Sequence, residues 1–220
     1  MKNLKNALLL KQLYQLKQLG YRYTSVNLFT EKEPDLTLPN TLDLLEKQAK
    51  ECHLCALSKS RNKVVFGEGP LSATLMLVGD SPSNSDDSSG KIFTGRAGDM
   101  LTKMLENVLG VKRSDVYITN VLKCKALDRQ SPSPAYAHTC HPYLLKEIDL
   151  VKPKVIIAFG ELAAAYLSGD DTPLSDIRGS VYDKENYKVL VTLHPSYLLR
   201  NPSSKKEVAG DLQKVKSLLA

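Results

Sequence analysis

Four short apolar segments rich in β-branched residues, separated by helical patterns, constrain the fold of this chain more than any other feature. They cover residues 74–79, 115–121, 154–160 and 188–193. Helical periodicity covers residues 98–109, 135–151 and 161–167 between them, and 208–219 after the last. Apolar strands that alternate with helices are typical of a parallel sheet covered on both faces. The sequence therefore predicts an α/β fold, a three-layer α/β/α sandwich with a four-stranded parallel central sheet.

A different pattern precedes this alternation. Leucines recur at helical spacing over residues 2–19, and a second helix is predicted over residues 41–50, capped by Asn40 or Thr41. We interpret residues 1–50 as a helical N-terminal extension that packs on one main domain, residues 51–220. The chain of 220 residues is 42% hydrophobic, which suffices for a core and excludes a mainly disordered protein.

Charge and hydropathy set further limits. The chain has 30 Lys and Arg against 24 Asp and Glu, a net charge of +6 that is compatible with a nucleic-acid partner without indicating one. The longest apolar runs have four to six residues, too few to cross a membrane. Lys11 interrupts the first of them, which argues against a secretory signal. We expect a monomeric protein of the cytoplasm with no membrane association.

The four cysteines are Cys52, Cys55, Cys124 and Cys140. Disulfides are rare in cytoplasmic proteins, and a Cys-x-x-Cys pair with two distant partners is typical of a metal or iron–sulfur site. The second pair is not a tight knuckle, which favours a cluster over zinc. The alternative is four unrelated buried thiols. The histidines nearby, His53, His138 and His141, are alternative ligands or plain surface side chains.

Polar residues follow each predicted strand. Asp80 and Ser81 come after the first, Asn120 ends the second, Glu161 follows the third and His194 the fourth. Ligands of open parallel sheets bind at the carboxyl ends of the strands. The sequence therefore predicts that these side chains converge on one ligand site.

Two of these residues have a structural alternative. His194, fixed by the following Pro195, either presents its imidazole at the sheet edge or is a satisfied core histidine. Asn120 lies in an apolar run, where an unpaired amide costs about 1–3 kcal/mol, so it either caps a turn or binds a ligand. The Ser/Asp-rich tract 80–91 is predicted to be a solvated loop, from which Asp86 or Asp87 could activate a water.

Two further segments carry positive charge. Gly95 and Gly98 expose backbone N–H groups at the start of a predicted helix, and with Arg96 they form a candidate phosphate site. Leu198 and Leu199 lie on a predicted loop next to Arg200. Exposed leucines beside basic residues suit a wedge inserted into a DNA stack, unless one or both belong to the core.

These elements together resemble the family 4, iron–sulfur uracil-DNA glycosylases of bacteria and archaea, over about residues 50–215. The resemblance is carried by the Cys52/Cys55 pair, GKIFTGRAGDML at 90–101, TNVLKC at 119–124 ahead of Cys140, and HPSYLLRNP at 194–202 followed by DLQ at 211–213. It implies an enzyme that flips uracil out of DNA and hydrolyses its N-glycosidic bond, leaving an abasic site. It also implies that the four cysteines hold a structural [4Fe–4S] cluster.

The resemblance assigns roles residue by residue. It implies a uracil site formed by Asp80, Ser81, Phe93 and Asn120, with Phe93 stacking on the base and Asn120 hydrogen-bonding its pairing edge. His194 would stabilise the departing base, and Asp86 would position or polarise the attacking water. The positive charge and the leucine pair described above, and not the resemblance, predict that Arg96, Leu198, Leu199 and Arg200 contact uracil-containing DNA.

The motif that follows the first predicted strand departs from the family pattern: Ser83 replaces a glycine, and Asp86 is one methylene shorter than the usual glutamate. In the next motif, residues 90–101, Ile92 replaces a proline. Three alternatives therefore stay open: a module that binds uracil or abasic DNA with weak or altered catalysis, a glycosylase for another deaminated base, and a zinc-stabilised nucleotide-binding protein.

Overall fold

The computed structural model describes residues 37–126 and 134–219. By its internal contacts the chain divides into Met1–Thr37 and Leu38–Ala220, and the second unit is described below. The helix predicted over residues 2–19 lies outside the described residues, so the extension over residues 1–50 stays a prediction. Its second helix is present as α1, Leu42–Lys50, which follows Thr41 and belongs to the larger unit.

The sheet has five strands, β1 Leu75–Gly79, β2 Tyr117–Asn120, β3 Val155–Phe159, β4 Val181–Asp183 and β5 Lys188–Thr192, in the order β2-β1-β3-β5-β4. The four predicted strands are confirmed and pair in parallel. However, β4 pairs with β5 antiparallel, so the sheet is mixed and the prediction of a four-stranded parallel sheet is wrong. The three residues of β4 are exposed or half-buried, so this edge strand lacks the apolar run that marks the others.

Helices flank the sheet. They are α2 Asn84–Ser89, α3 Gly95–Met104, α4 Pro134–Val151, α5 Glu161–Ser168, α6 Leu174–Ile177, α7 Pro195–Arg200 and α8 Lys205–Leu219. A π-helical turn, Leu105–Leu109, extends α3, and short 3₁₀ turns cover Ala56–Lys59, Arg113–Asp115 and Pro202–Ser204. Among the described residues, no helix has the length and apolar character that a membrane span requires.

Alternate strand residues point to opposite faces of the sheet and pack against different helices. On one face Leu77 and Ile118 share a buried core with Leu101 of α3 and Leu212 of α8. On the other face, Tyr117 and Thr119 donate hydrogen bonds to Glu147 of α4. The sheet is therefore covered by helices on both sides.

Two segments that were predicted to be loops are short helices, because the residue before each helix caps its N-terminus. Ser83 Oγ accepts a hydrogen bond from Asp86 N, the Asp86 carboxylate accepts one from Ser83 N, and Gly90 ends α2 in the left-handed region. His194 caps α7 in a similar way, with Pro195 in its first turn. The prediction of loops at these two places is wrong because capping, rather than hydrophobic periodicity, specifies both helices.

The strand register aligns the polar strand ends along one edge. Gly79 pairs with Asn120, and Phe159 pairs with Thr192. Beyond the strands, Val121 N donates to Gly79 O over 2.8 Å, and Leu122 N donates to Asp80 O over 3.0 Å. The loops after β1 and β2 are therefore held side by side at the carboxyl edge of the sheet.

Candidate active site and cysteine cavity

A pocket of about 420 Å³ opens at the carboxyl edge of the sheet. Residues predicted for the site converge on its wall: Asp80, Ser81, Asp86, Phe93, Asn120, His194 and Arg200. Glu161, predicted from its place after the third strand, also lines the pocket, as does Ser196 after the fourth. The structure therefore brings together the residues after β1, β2, β3 and β5, as the strand-end argument predicted.

Asn120 presents an unpaired amide to this pocket. The residue is only 2% exposed, yet neither amide atom makes a hydrogen bond within the described residues. Every fully buried side-chain polar atom in those residues does have a partner, so the two amide atoms are not fully buried. The amide is therefore in contact with the pocket space. A Cβ added at Gly79 would overlap Asn120 Oδ1 and the Phe93 ring, so glycine allows both groups to approach this strand end. The arrangement leaves one donor and one acceptor available to a ligand.

Phe93 and His194 form an aromatic wall. Their ring centroids are 5.4 Å apart with an interplanar angle of 23°. Phe93 is buried and has a φ of +47°, in the left-handed region that bulky residues rarely adopt. The backbone is therefore held in an unfavourable conformation at the point where this ring meets the pocket.

His194 is a neutral hydrogen-bond donor. Its Nδ1 accepts from Ser196 N over 3.2 Å and lies 2.7 Å from Ser196 Oγ, so the ring proton belongs on Nε2. Burial lowers the pKa of His194 to about 4, although the charge of Asp86 opposes this shift. At neutral pH the imidazole is therefore uncharged, and Nε2–H has no partner within the described residues.

Asp86 is buried in the pocket wall, and both of its carboxylate oxygens are occupied. Oδ1 accepts from Thr94 N and Thr94 Oγ1, each over 2.6 Å, while Oδ2 accepts from Ser83 N over 2.9 Å and Ser83 Oγ over 2.8 Å. Four donors fill the lone-pair directions of a carboxylate. The Asp86 carboxylate therefore lies in the pocket wall with no free direction on its oxygens for a water.

The two serines that follow β1, Ser81 and Ser83, differ in backbone role and surroundings. Ser83 has a φ of −78° in extended backbone, so this position does not require the glycine that the family pattern has there. Ser81, by contrast, lines the pocket, and its hydroxyl has no hydrogen-bond partner in the described part of the chain. Asp87 lies away from the pocket and accepts hydrogen bonds from Asn62 N and Asn62 Nδ2.

Asp80 lines the pocket but directs its carboxylate to α5. Oδ1 accepts from Ala163 N over 2.8 Å, and a Cβ at Gly160 would overlap the carboxylate. Burial raises the pKa of Asp80 to about 7, against the backbone N–H groups of Ala163 and Leu162, which lower it. This side chain therefore caps the start of α5 at the pocket wall.

The fold exposes three of the four predicted DNA contacts and buries the fourth. Arg200 lines the pocket and is exposed, and Arg96 is exposed in the first turn of α3. Leu198 is 1% exposed within the main core, so its prediction as a wedge is wrong: it lies on the inward side of α7. Leu199 is 38% exposed and stays a predicted DNA contact, beside the exposed Tyr197.

All four cysteines line a second cavity, which we call the cysteine cavity, together with Arg61 and Tyr143. None of the four forms a disulfide. Arg61 Nη1 donates to Cys124 Sγ over 3.2 Å, and Lys123 N donates to Cys140 Sγ over 3.4 Å. Burial raises the pKa of Cys140 to about 12. Over the described ranges, no group of three or more His, Cys, Asp or Glu side chains is arranged as a metal-ion site.

A buried ion pair joins Lys123, which lines the cysteine cavity, to Glu147, and it was not predicted from the sequence. Lys123 Nζ donates to Glu147 Oε2, to Thr119 Oγ1 over 2.7 Å and to Asn120 O over 2.8 Å. Removing one partner of such a pair costs about 3–5 kcal/mol. A lysine inside the apolar run VLKC was the available signal, because a buried lysine needs a paired carboxylate.

Comparison with known proteins agrees with this geometry. A family model described as the uracil DNA glycosylase superfamily matches residues 66–215. The chain is 36% identical to the type-4 uracil-DNA glycosylase of Thermotoga maritima over 187 residues, which cover 83% of this chain and 97% of that protein. It is 35% identical to the type-4 uracil-DNA glycosylase of Saccharolobus solfataricus over 189 residues, 82% of this chain and 88% of that protein.

A third relative, the type-4 uracil-DNA glycosylase of Archaeoglobus fulgidus, is 33% identical over 186 residues, 81% of this chain and 93% of that protein. The matches thus span most of both chains, and the family model includes β1 to β5 with the pocket between their ends. The chain belongs to the uracil DNA glycosylase superfamily and, within it, to the type-4 uracil-DNA glycosylases that its motifs resemble.

Proposed function

We propose that this protein is a DNA repair glycosylase that flips uracil out of DNA and hydrolyses its N-glycosidic bond, leaving an abasic site. The observation that carries the proposal is the Asn120 amide, which is buried, has no partner among the described residues and faces the pocket beside Phe93 and His194. A flipped base is read on its Watson–Crick edge and stacked on an aromatic ring. The pocket offers both kinds of contact.

Asn120 supplies the base selectivity in this proposal. Its carboxamide oxygen accepts from uracil N3–H, and its amino group donates to uracil O4. Cytosine presents an acceptor and an amino group at the same positions, so both contacts become unfavourable with the amide in that orientation. Because an unpaired buried amide costs about 1–3 kcal/mol, the correct base gains affinity and the wrong base loses it.

His194 supplies the leaving-group stabilisation. Cleavage breaks the bond between uracil N1 and the sugar C1′, and the bonding electrons leave with the base. Nε2–H of the neutral imidazole donates to the uracil anion that develops, while Ser196 fixes the ring from the Nδ1 side. One such preplaced donor contributes about 2.7–4 kcal/mol to the transition state. A water adds to C1′ and loses one proton, and the released uracil anion takes up a proton at N1, so that the products are an abasic sugar and neutral uracil.

Asp86 acts through its charge in this proposal. Its carboxylate, fixed by four hydrogen bonds, favours the cationic sugar that forms as the base departs. Because those bonds occupy both oxygens, the attacking water is held by another group. We infer that the Ser81 hydroxyl holds it, since this hydroxyl lines the pocket and lacks a partner in the described ranges. Ser81→Ala and Asp86→Asn should therefore both slow excision without weakening DNA binding.

We also infer that Cys52, Cys55, Cys124 and Cys140 hold a [4Fe–4S] cluster. Four cysteine thiolates are its usual ligands, and N–H donors to their sulfurs are typical of such sites. The cysteine cavity provides four thiols and two N–H donors, from Arg61 and Lys123. When bound, the cluster would supply a structural cross-link between segments far apart in sequence. The four cysteines form no disulfide, which is consistent with a protein of the cytoplasm. One chain supplies all four thiols, which is consistent with a monomer.

A strand-nicking assay tests the proposed function. An oligonucleotide with one uracil is incubated with the protein, and abasic sites are revealed by alkali as strand breaks. We expect breaks at uracil and none at thymine or cytosine. Binding of the uracil oligonucleotide without breaks would instead favour a binding module. Preferential breaks at hypoxanthine or another deaminated base in a matched panel would favour a glycosylase for that base.

A further inference from the structure

We propose that Arg113 is a positioning residue for base excision, which holds the Phe93 backbone in the conformation that places its ring in the pocket. The inference rests on the proposed function of the pocket. Arg113 itself is not part of the pocket wall. It begins the 3₁₀ turn before β2 and contacts the segment that leads into α3.

The conformation of Phe93 needs external support. A non-glycine residue with a φ of +47° carries local strain that persists only when its surroundings enforce it. A Cβ at Gly98 would overlap Phe93 O, so the carbonyl is packed directly on the first turns of α3. This packing explains the glycine, but it does not by itself fix the orientation of the peptide group.

The Arg113 guanidinium provides that support through three hydrogen bonds. Nη1 donates to Phe93 O over 3.2 Å, and Nη2 donates to Ile92 O over 2.8 Å. Nη2 also donates to Glu68 Oε1 over 2.8 Å. A planar guanidinium can bind two successive carbonyls at once, which the single ammonium group of lysine cannot reproduce in the same geometry.

Glu68 connects this clamp to the sheet. Its backbone N–H donates to Ile118 O over 2.9 Å, and Ile118 N donates to Glu68 O over 2.8 Å. The carboxylate that anchors Arg113 is therefore tied to β2, the strand that ends in Asn120. We infer that the clamp places the stacking ring and the base-reading amide in a fixed relation.

A double-mutant cycle separates positioning from general stabilisation. We expect Arg113→Met to lower the single-turnover rate of uracil excision by roughly 10- to 100-fold, the range that small misplacements of active-site groups produce. Arg113→Lys should recover only part of the loss. In a Phe93→Ala background the same Arg113→Met change should alter the rate less than about twofold, because the ring it positions is gone.

Arg178→Met is the matched control. Arg178 is as exposed as Arg113, 26% against 27% of the side chain, and it also pairs with a carboxylate, that of Asp211. We expect this change to lower the melting temperature while leaving the excision rate of the folded protein unchanged. An Arg113→Met effect that is equally large with and without Phe93, or no Arg113→Met effect in a protein that excises uracil, would overturn the proposal.

A spectroscopic measurement tests the clamp without any activity. The chain has no tryptophan, so Phe93→Trp creates a single reporter at this position. Adding Arg113→Met should shift its emission to longer wavelength as the ring becomes exposed to water, whereas adding Arg178→Met should not. Unchanged emission would overturn the proposal even if the wild-type protein excises uracil. If the wild-type protein does not excise uracil but the shift occurs, the proposed function fails and the clamp is retained.

Discussion

The pocket and the cysteine cavity are built on the same stretch of chain, but their polar groups are fixed to different degrees. Asn120 and Cys124 are four residues apart, and each faces one of the two cavities. In the pocket, His194 is oriented by Ser196, and Asp86 is fixed by four hydrogen bonds. In the cysteine cavity, two sulfurs accept N–H donors from Arg61 and Lys123.

This difference indicates two kinds of organisation. The pocket is preorganised by hydrogen bonds that the protein itself makes, so catalysis there depends on single side chains. The cysteine cavity joins α1, the segment after β2 and α4, and under our proposal it is completed by the cluster. Substitutions in the cysteine cavity should therefore affect folding, and substitutions in the pocket should affect rate.

The largest expected effect is that of Cys124→Ser. Loss of one ligand should remove the cluster and, with it, the cross-link that holds distant segments together, so we expect little folded protein. Wild-type protein should contain about four irons per chain. Iron content and thermal unfolding measure both effects, with His53→Ala as the control because His53 is exposed and does not line the cavity. Stoichiometric zinc, or full stability of the serine variant, would contradict the assignment.

A smaller effect, on rate alone, is expected from Asn120→Asp in the pocket. The carboxylate cannot donate to uracil O4, and the loss of a bidentate base contact is worth about 1–3 kcal/mol, or roughly 5- to 150-fold. We expect excision of uracil to fall by that factor and a trace of cytosine excision to appear, with unchanged melting temperature. Single-turnover assays on both bases measure it. Full uracil activity in this variant would mean that Asn120 is only a turn cap.

Two exposed arginines, Arg200 in the pocket lining and Arg96 in the first turn of α3, should affect binding more than rate. If Arg200 and Arg96 each contact one phosphate, removing either should make the slope of log K against log salt shallower by about 0.9 on duplex DNA. Fluorescence anisotropy over a salt series measures this slope. Lys152→Ala, remote from the pocket wall, is the control. A slope that neither arginine substitution changes would exclude both as phosphate contacts.

The effect expected for Asp80 is on the pH dependence of stability and not on rate. Its folded pKa of about 7 lies above the ordinary value of 3.8, so between these pH values the folded chain holds a proton that the unfolded chain has released. The free energy of unfolding should therefore fall as pH rises through this window, by at most about 1.4 kcal/mol per pKa unit. Asp80→Asn removes this dependence. Urea unfolding of both proteins at pH 4 and pH 8 measures the difference, and parallel pH profiles would contradict it.

The sheet was predictable where apolar runs specify it. The four parallel strands each lie in a short, mainly apolar segment, whereas Val181–Asp183 has three residues that are exposed or half-buried, and it pairs antiparallel with β5. The helix Asn84–Ser89 was missed for a related reason. Its sequence has no apolar periodicity, and the reciprocal hydrogen bonds between Ser83 and Asp86 form it instead.

Most residues that line the pocket were predictable from the sequence, but the long-range contacts that support them were not. Strand order alone brings Asn120 and His194 to one edge, because parallel strands end on the same side. The clamp from Arg113 and the ion pair of Lys123 with Glu147 depend on contacts between residues at least 20 positions apart. The apolar run around Lys123 signals that this lysine needs a carboxylate, but no local pattern identifies Glu147 as its partner or Arg113 as the clamp, so only the folded arrangement shows these contacts.

The most direct test of the central claim is the single-turnover rate of uracil excision by His194→Ala, with DNA affinity measured separately. A donor used only in the transition state predicts a rate roughly 100–1000-fold lower and an unchanged Kd. His141→Ala, which lies outside the pocket wall, is the control and should keep the wild-type rate. An unchanged rate in His194→Ala would contradict the account, because the leaving base would then be stabilised elsewhere.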